Sequence, residues 1–141
     1  PYYVTALSDL YSKKGVGYKR SQEMVRLGDA IKEGIKVALH SDMPMAPASP
    51  LMLMHAAVNR DNFAGKVAGP HQRISAIEAL RAVTINSAYI LRLEKKYGSI
   101  EAGKFANLTI LDRNPLSVKN NEIKNIKILG TVMKGDQFFI N

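Results

Sequence analysis

Reactive side chains in this chain gather at Leu39-His40-Ser41-Asp42-Met43-Pro44, where an apolar run stops at a polar triplet and a proline-punctuated loop begins. Successive side chains of a strand point to opposite faces, so His40 and Asp42 share one face and Ser41 looks the other way. Asp42 then stands at the C-terminal lip of the run. A carboxylate at the carboxyl end of a buried parallel strand is where α/β barrels and open α/β sheets place chemistry, because the loops there line a crevice over a rigid base. Spacing leaves a second reading open: an aspartate after a strand also serves as a turn former or helix cap, and a lone strand histidine as a hydrogen-bonded core residue.

The elements that must position this pair read as follows. Residues 35–39 are β-favouring or small and follow Gly34, which predicts a buried strand over 35–41. Before it, Ser21 is a plausible N-cap for a helix to Lys32 or Glu33 with Met24, Leu27, Gly28 and Ile31 on one face. Helix, glycine and buried strand make the repeating unit of an α/β fold, and one copy cannot close a barrel. Residues 2–7 are β-prone and 8–20 form a polar loop with Gly15 and Gly17.

After Asp42, residues 43–50 contain Pro44, Pro47 and Pro50 and no charged side chain, so the loop can wall a pocket or act as a rigid connector. Met43, Met45, Met52 and Met54 read as adaptable packing. Residues 51–60 predict a helix with His55 at its surface or capping a contact, and 61–73 a loop with Gly65, Gly69, Pro70 and an exposed His71. Ser75 and Glu78 stand in capping-box relation and start a helix whose buried stripe is Ile77, Leu80 and Val83 or Thr84. Asn86 is placed to cap a second helix through Ala88, Leu91 and Leu93 to a stop at Gly98, with Arg81 and Arg92 on solvated faces. Beyond Gly98 the period becomes two: a strand over 106–111, a turn over 112–115, a strand over 126–134, and a Gly135-Asp136 hairpin turn into 137–140.

Composition narrows the classes. The 141 residues suit one domain, and 46% hydrophobic with 23% charged residues supports neither disorder nor a membrane span. No secretory signal pattern is present, and the absence of cysteine excludes disulfides and thiolate metal sites while suiting a reducing cytoplasm. A net charge of +8 invites a nucleic-acid reading, but the basic residues are scattered with at most two together, so they read as solvated surface. Neither a nucleic-acid nor a membrane partner is expected. The chain opens mid-pattern on Pro1-Tyr2-Tyr3-Val4-Thr5, as if inside a longer architecture.

Gly98-Ser99-Ile100-Glu101-Ala102-Gly103-Lys104-Phe105-Ala106-Asn107-Leu108-Thr109-Ile110-Leu111-Asp112, with His40-Ser41-Asp42-Met43-Pro44 and residues 78–84, resembles the C-terminal part of the amidohydrolase superfamily. Ser41-Asp42-x-Pro44 and Ala57-Val58-Asn59-Arg60 resemble its amidohydrolase-3 branch. The resemblance implies an α/β fold class: the C-terminal fragment of a metal-dependent (β/α)8 TIM barrel plus part of a small antiparallel β-sandwich. Residues 1–97 would belong to the barrel, with 35–42 its eighth strand, and 98–141 to the sandwich. It also implies a hydrolase of amide or other C–N bonds working on a small-molecule substrate through metal-activated water. Asp42 falls on the family's strand-eight aspartate, which binds the metal and moves a proton from water to the leaving amine. His40, Met43, Pro44 and Met45 would line the substrate pocket. The cofactor implied is a divalent metal, with zinc the expected ion. The family's histidine ligands lie on earlier strands, and His40, His55 and His71 form no pair at ligand spacing, so this chain alone is expected to be inactive. The alternative is a non-catalytic piece that self-associates, as a homodimer, through exposed strand edges. Asn107 stands where the family has aspartate, and its amide keeps most of that carboxylate's hydrogen-bonding shape.

Overall fold

Tyr2–Lys14 is a helix (α1) in the computed structural model, which describes residues 1–140. The β-prone arm expected over 2–7 and the loop after it are therefore corrected. Tyr-Tyr-Val-Thr favours strand locally, but tertiary contacts override that preference. Val4 and Ser8, one helical turn apart, are buried, Asn62 Nδ2 donates to Ser8 Oγ, and the Phe63 N–H donates to the Thr5 carbonyl. Lys13 and Lys14 complement the negative end of the helix dipole.

The single helix expected from Ser21 is two short ones, α2 (Tyr18–Ser21) and α3 (Leu27–Lys32). Ser21 caps nothing forward: its buried hydroxyl donates back to the Tyr18 carbonyl. Val25 breaks the helix at φ 53°, and its carbonyl and that of Met24 are held by Arg60. Gly28 is required by packing, since a Cβ there would lie 2.8 Å from the His71 carbonyl oxygen.

The strand expected over 35–41 has no ladder partner among the described residues and runs as an irregular segment. Without a partner its backbone groups turn to helices: the Leu39 N–H donates to the Ala82 carbonyl, and Asn86 Nδ2 to the Val37 carbonyl. Leu39 is buried while Ile35 is exposed.

The central element is α4 (Pro50–Asn59), capped by Ser49 Oγ accepting from the Met52 N–H, with Pro50 in its first turn. Leu51, Leu53, Met54, Ala56, Ala57 and Val58 are buried around it, as a helix enclosed on most sides requires. His55 is buried as well, which corrects its surface placement. α5 (Ala76–Val83) begins with the capping box expected, Ser75 and Glu78 satisfying each other's backbone N–H groups. Its inner face is Ala79 and Ala82, which let α4 approach closely, while Ile77 is exposed.

α6 (Ile85–Ile90) starts after Thr84, which makes no side-chain cap, and Asn86 lies inside the helix with its amide spent on Val37. The helix also stops well before Gly98. Arg92 at φ 58° closes it in a Schellman arrangement, the Leu93 N–H donating to Ala88 and the Arg92 N–H to Tyr89. Leu91 is therefore exposed, outside any helical stripe.

The C-terminal residues form the antiparallel sheet expected, β1 (Leu108–Leu111), β2 (Ile128–Met133) and β3 (Asp136–Phe139) in the order β1-β2-β3. The strands are shorter than their period-two runs, and the hairpin turns on Lys134-Gly135, both at positive φ, the geometry of a two-residue hairpin loop. Asn107 Oδ1 accepts from the Lys134 N–H at 2.8 Å, so the amide serves the hairpin directly. Between β1 and β2, a 3-10 turn (Asn120–Asn125) seats Ile123 and Ile126 in the same core as α4. Among the described residues no helix is long and apolar enough to cross a membrane.

Candidate functional site

Asp42 ends the irregular segment in left-handed backbone conformation (φ 55°), which aspartate adopts more readily than most residues. The Met45 N–H donates to its carbonyl at 2.8 Å, closing a tight turn around the cis Met43–Pro44 peptide. This turn presents the carboxylate outward. Asp42 is exposed, and Tyr3 Oη donates to its Oδ2 at 2.5 Å across 39 positions of sequence. Oδ1 has no hydrogen-bond partner among the described residues. The bond to Asp42, with the carboxylate's charge, raises the Tyr3 phenol above its ordinary value and keeps it a neutral donor.

His40 is exposed and makes no hydrogen bond to Asp42. Met43 and Pro44 are exposed and Met45 is half-buried, so the four residues expected to line a pocket form an open rim. A cavity of about 780 Å³ lies elsewhere, between α5, α6 and β1, lined by Leu80, Val83, Leu93, Tyr97 and Ile110 among others.

The other histidines are engaged. His55 Nε2 meets Asp61 Oδ2 at 3.2 Å, and its Nδ1 meets the Asn59 amide nitrogen at 3.1 Å. His71 Nε2 meets Glu23 Oε1 at 3.0 Å in its exposed loop. No group of three His, Cys, Asp or Glu side chains converges among the described residues. Since a zinc site takes three or more protein ligands, this donor set does not fit a metal by itself; Asp42 offers one open oxygen.

Tyr3 and Arg60 carry no functional reading from the sequence. Tyr3 sits in a segment that reads locally as a strand, and nothing near it in sequence points to Asp42. Arg60 is fully buried, its guanidinium donating to the carbonyls of Ala68 (2.7 Å), Val25 (3.0 Å) and Met24 (2.7 Å), with no carboxylate partner among the described residues. Burial lowers its pKa to about 10, which leaves it charged at neutral pH.

The amidohydrolase family model matches residues 3–139. The N-substituted formamide deformylase of Arthrobacter pascens is 41% identical over 102 residues, 72% of this chain and 19% of that protein. The chain spans about a fifth of the length of the curated relatives it matches. Among solved structures, a metal-dependent hydrolase of Pyrococcus horikoshii, itself uncharacterized, superposes with a TM-score of 0.70 at 32% identity, covering 85% of this chain and 24% of that one. An amidohydrolase of Thermotoga maritima superposes at 0.61 with 23% identity over 82% of this chain and 26% of its own, a likeness of fold.

Proposed function

The chain belongs to the amidohydrolase family, and from that premise we propose that it is the C-terminal portion of a metal-dependent hydrolase of amide and other C–N bonds. Residues 1–97 are its share of a (β/α)8 barrel, with 35–42 as the last barrel strand, and 98–141 its share of a β-sandwich. The formamide deformylase relative supports C–N hydrolysis and the P. horikoshii relative supports metal dependence. The observation that carries the reading is Asp42, a carboxylate held outward on a tight turn with one oxygen bonded and the other open.

In that reading the Asp42 carboxylate accepts a proton from the attacking water and returns it to the departing amine nitrogen. A bound divalent metal, zinc by preference, would lower the pKa of water and polarise the scissile carbonyl. Asp42 would be one of its ligands beside histidines from other barrel strands, and the chain alone would then be inactive. His40, Met43, Pro44 and Met45 form one wall of the pocket for a small organic substrate. The reaction is cytoplasmic.

The test has two parts. Metal per chain is measured on the dialysed 141-residue protein and its Asp42→Asn variant; substoichiometric metal, indifferent to the substitution, is expected. The chain is then grafted in place of the matching segment of the formamide deformylase. A folded graft should hydrolyse N-substituted formamides and lose that activity with Asp42→Asn; a graft whose activity ignores the substitution overturns the role of Asp42.

A further inference from the structure

We propose that Tyr3 is a positioning residue for Asp42: its hydroxyl, donated to Oδ2, fixes the carboxylate plane so that Oδ1 faces the reacting centre. The inference rests on the reading of Asp42 as the proton-moving carboxylate.

Asp42 lies in a stretch with few other means of holding its side chain. Residues 43–50 carry no charged group, no salt bridge reaches Asp42 among the described residues, and the Tyr3 phenol is the one side-chain donor upon it. An exposed carboxylate on a turn rotates freely about its last bond unless something holds one oxygen. A phenol does this without a formal charge. Lysine or arginine in its place would hold the oxygen but would also offset the negative charge and make the carboxylate a poorer base.

The bond does little to hold the fold, which separates this role from a structural one. Helix α1 is docked by other means: buried Val4 and Ser8, the edge-on Tyr2–Phe63 ring pair at 6.1 Å, the Phe63 N–H to Thr5 bond and the Asn62–Ser8 bond. Tyr3 is 39% exposed and Asp42 is exposed too, so water replaces either partner at small cost. The helix therefore delivers Tyr3 to the carboxylate, and the carboxylate is not needed to seat the helix.

The experiment uses the 141-residue chain first, then the graft. In the chain, NMR three-bond couplings should show a single Asp42 side-chain rotamer that averages in Tyr3→Phe, with thermal midpoints unchanged. Averaging already in the unsubstituted chain overturns the inference. In the graft, Tyr3→Phe should lower kcat about tenfold with KM unchanged. If Asp42→Asn abolishes turnover while Tyr3→Phe leaves kcat intact, the positioning role is overturned and the reading of Asp42 stands. If neither substitution matters, the reading of Asp42 falls and the inference with it.

Discussion

Two polar clusters of this chain are built in opposite ways. At His55, Asn59 and Arg60 the polar groups turn to the protein itself: the His55 ring lies against Asp61, the Asn59 amide nitrogen is within reach of His55 Nδ1 and of the carbonyls of His55 and Asn120, and the guanidinium donates to three further carbonyls. At Asp42 one carboxylate oxygen meets Tyr3 and the other is open. His55 and Arg60 are buried and Asn59 half-buried, whereas Asp42 is exposed. A saturated polar group can hold a fold together and has nothing left for a ligand; an unsaturated one at the surface contributes little stability and is available for chemistry. Residue type does not distinguish them, since both contain groups that appear in active sites.

Substitutions can break this contrast. The largest expected effect is at Asp42: Asp42→Asn in the graft should reduce turnover about 10³-fold, in the range that general acid–base groups supply. The same substitution should leave stability within about 0.5 kcal/mol by urea denaturation, because the side chain is exposed. Equal loss of stability would place Asp42 with the saturated cluster. Arg60→Ala should do the reverse and cost about 3 kcal/mol or more of folding stability, since the carbonyls of Met24, Val25 and Ala68 lose their buried donor.

Why one cluster misleads at the sequence level while other features do not is a matter of range. The Ser75–Glu78 capping box and the three-stranded sheet were legible because their determinants lie within a few residues or follow a simple period. The start of the chain carries strand propensity in Tyr-Tyr-Val-Thr, and the contacts that make it helical come from Asn62 and Phe63. Of the two readings of His55, the surface one fails because its partner Asp61 lies past the end of its helix. Asp42 stood out as a candidate from its position after an apolar run, but Tyr3 is 39 positions away and left no local mark. The strand expected over 35–41 needed partners that no described residue supplies.

Smaller changes sharpen the comparison. Asn59→Ala should cost about 1 kcal/mol by removing the amide that donates to the carbonyls of His55 and Asn120. Ser75→Ala, which removes an N-cap in the exposed part of α5, should cost about 1 kcal/mol by the same denaturation measurement. The smallest effect is on pH dependence. The hydroxyl and backbone N–H of Ser75 hold the Glu78 carboxyl below its ordinary 4.5. Its folded-state value is depressed, so its contribution is complete above the unfolded value and fades as pH falls through the folded one. Stability measured from pH 7 downward should hold to about pH 5 and then decline, and Glu78→Gln should flatten the decline slightly.

One property of the saturated cluster bears on how this sequence can drift. Arg60 and the amide of Asn59 bind main-chain carbonyls at Met24, Val25, Ala68 and Asn120. A carbonyl is supplied by every amino acid, so the receiving positions can exchange their side chains generation after generation without losing these bonds. The whole hereditary burden of the junction falls on the two adjacent donors, and relatives that differ widely in the loops around it can share the junction so long as they keep an asparagine followed by an arginine.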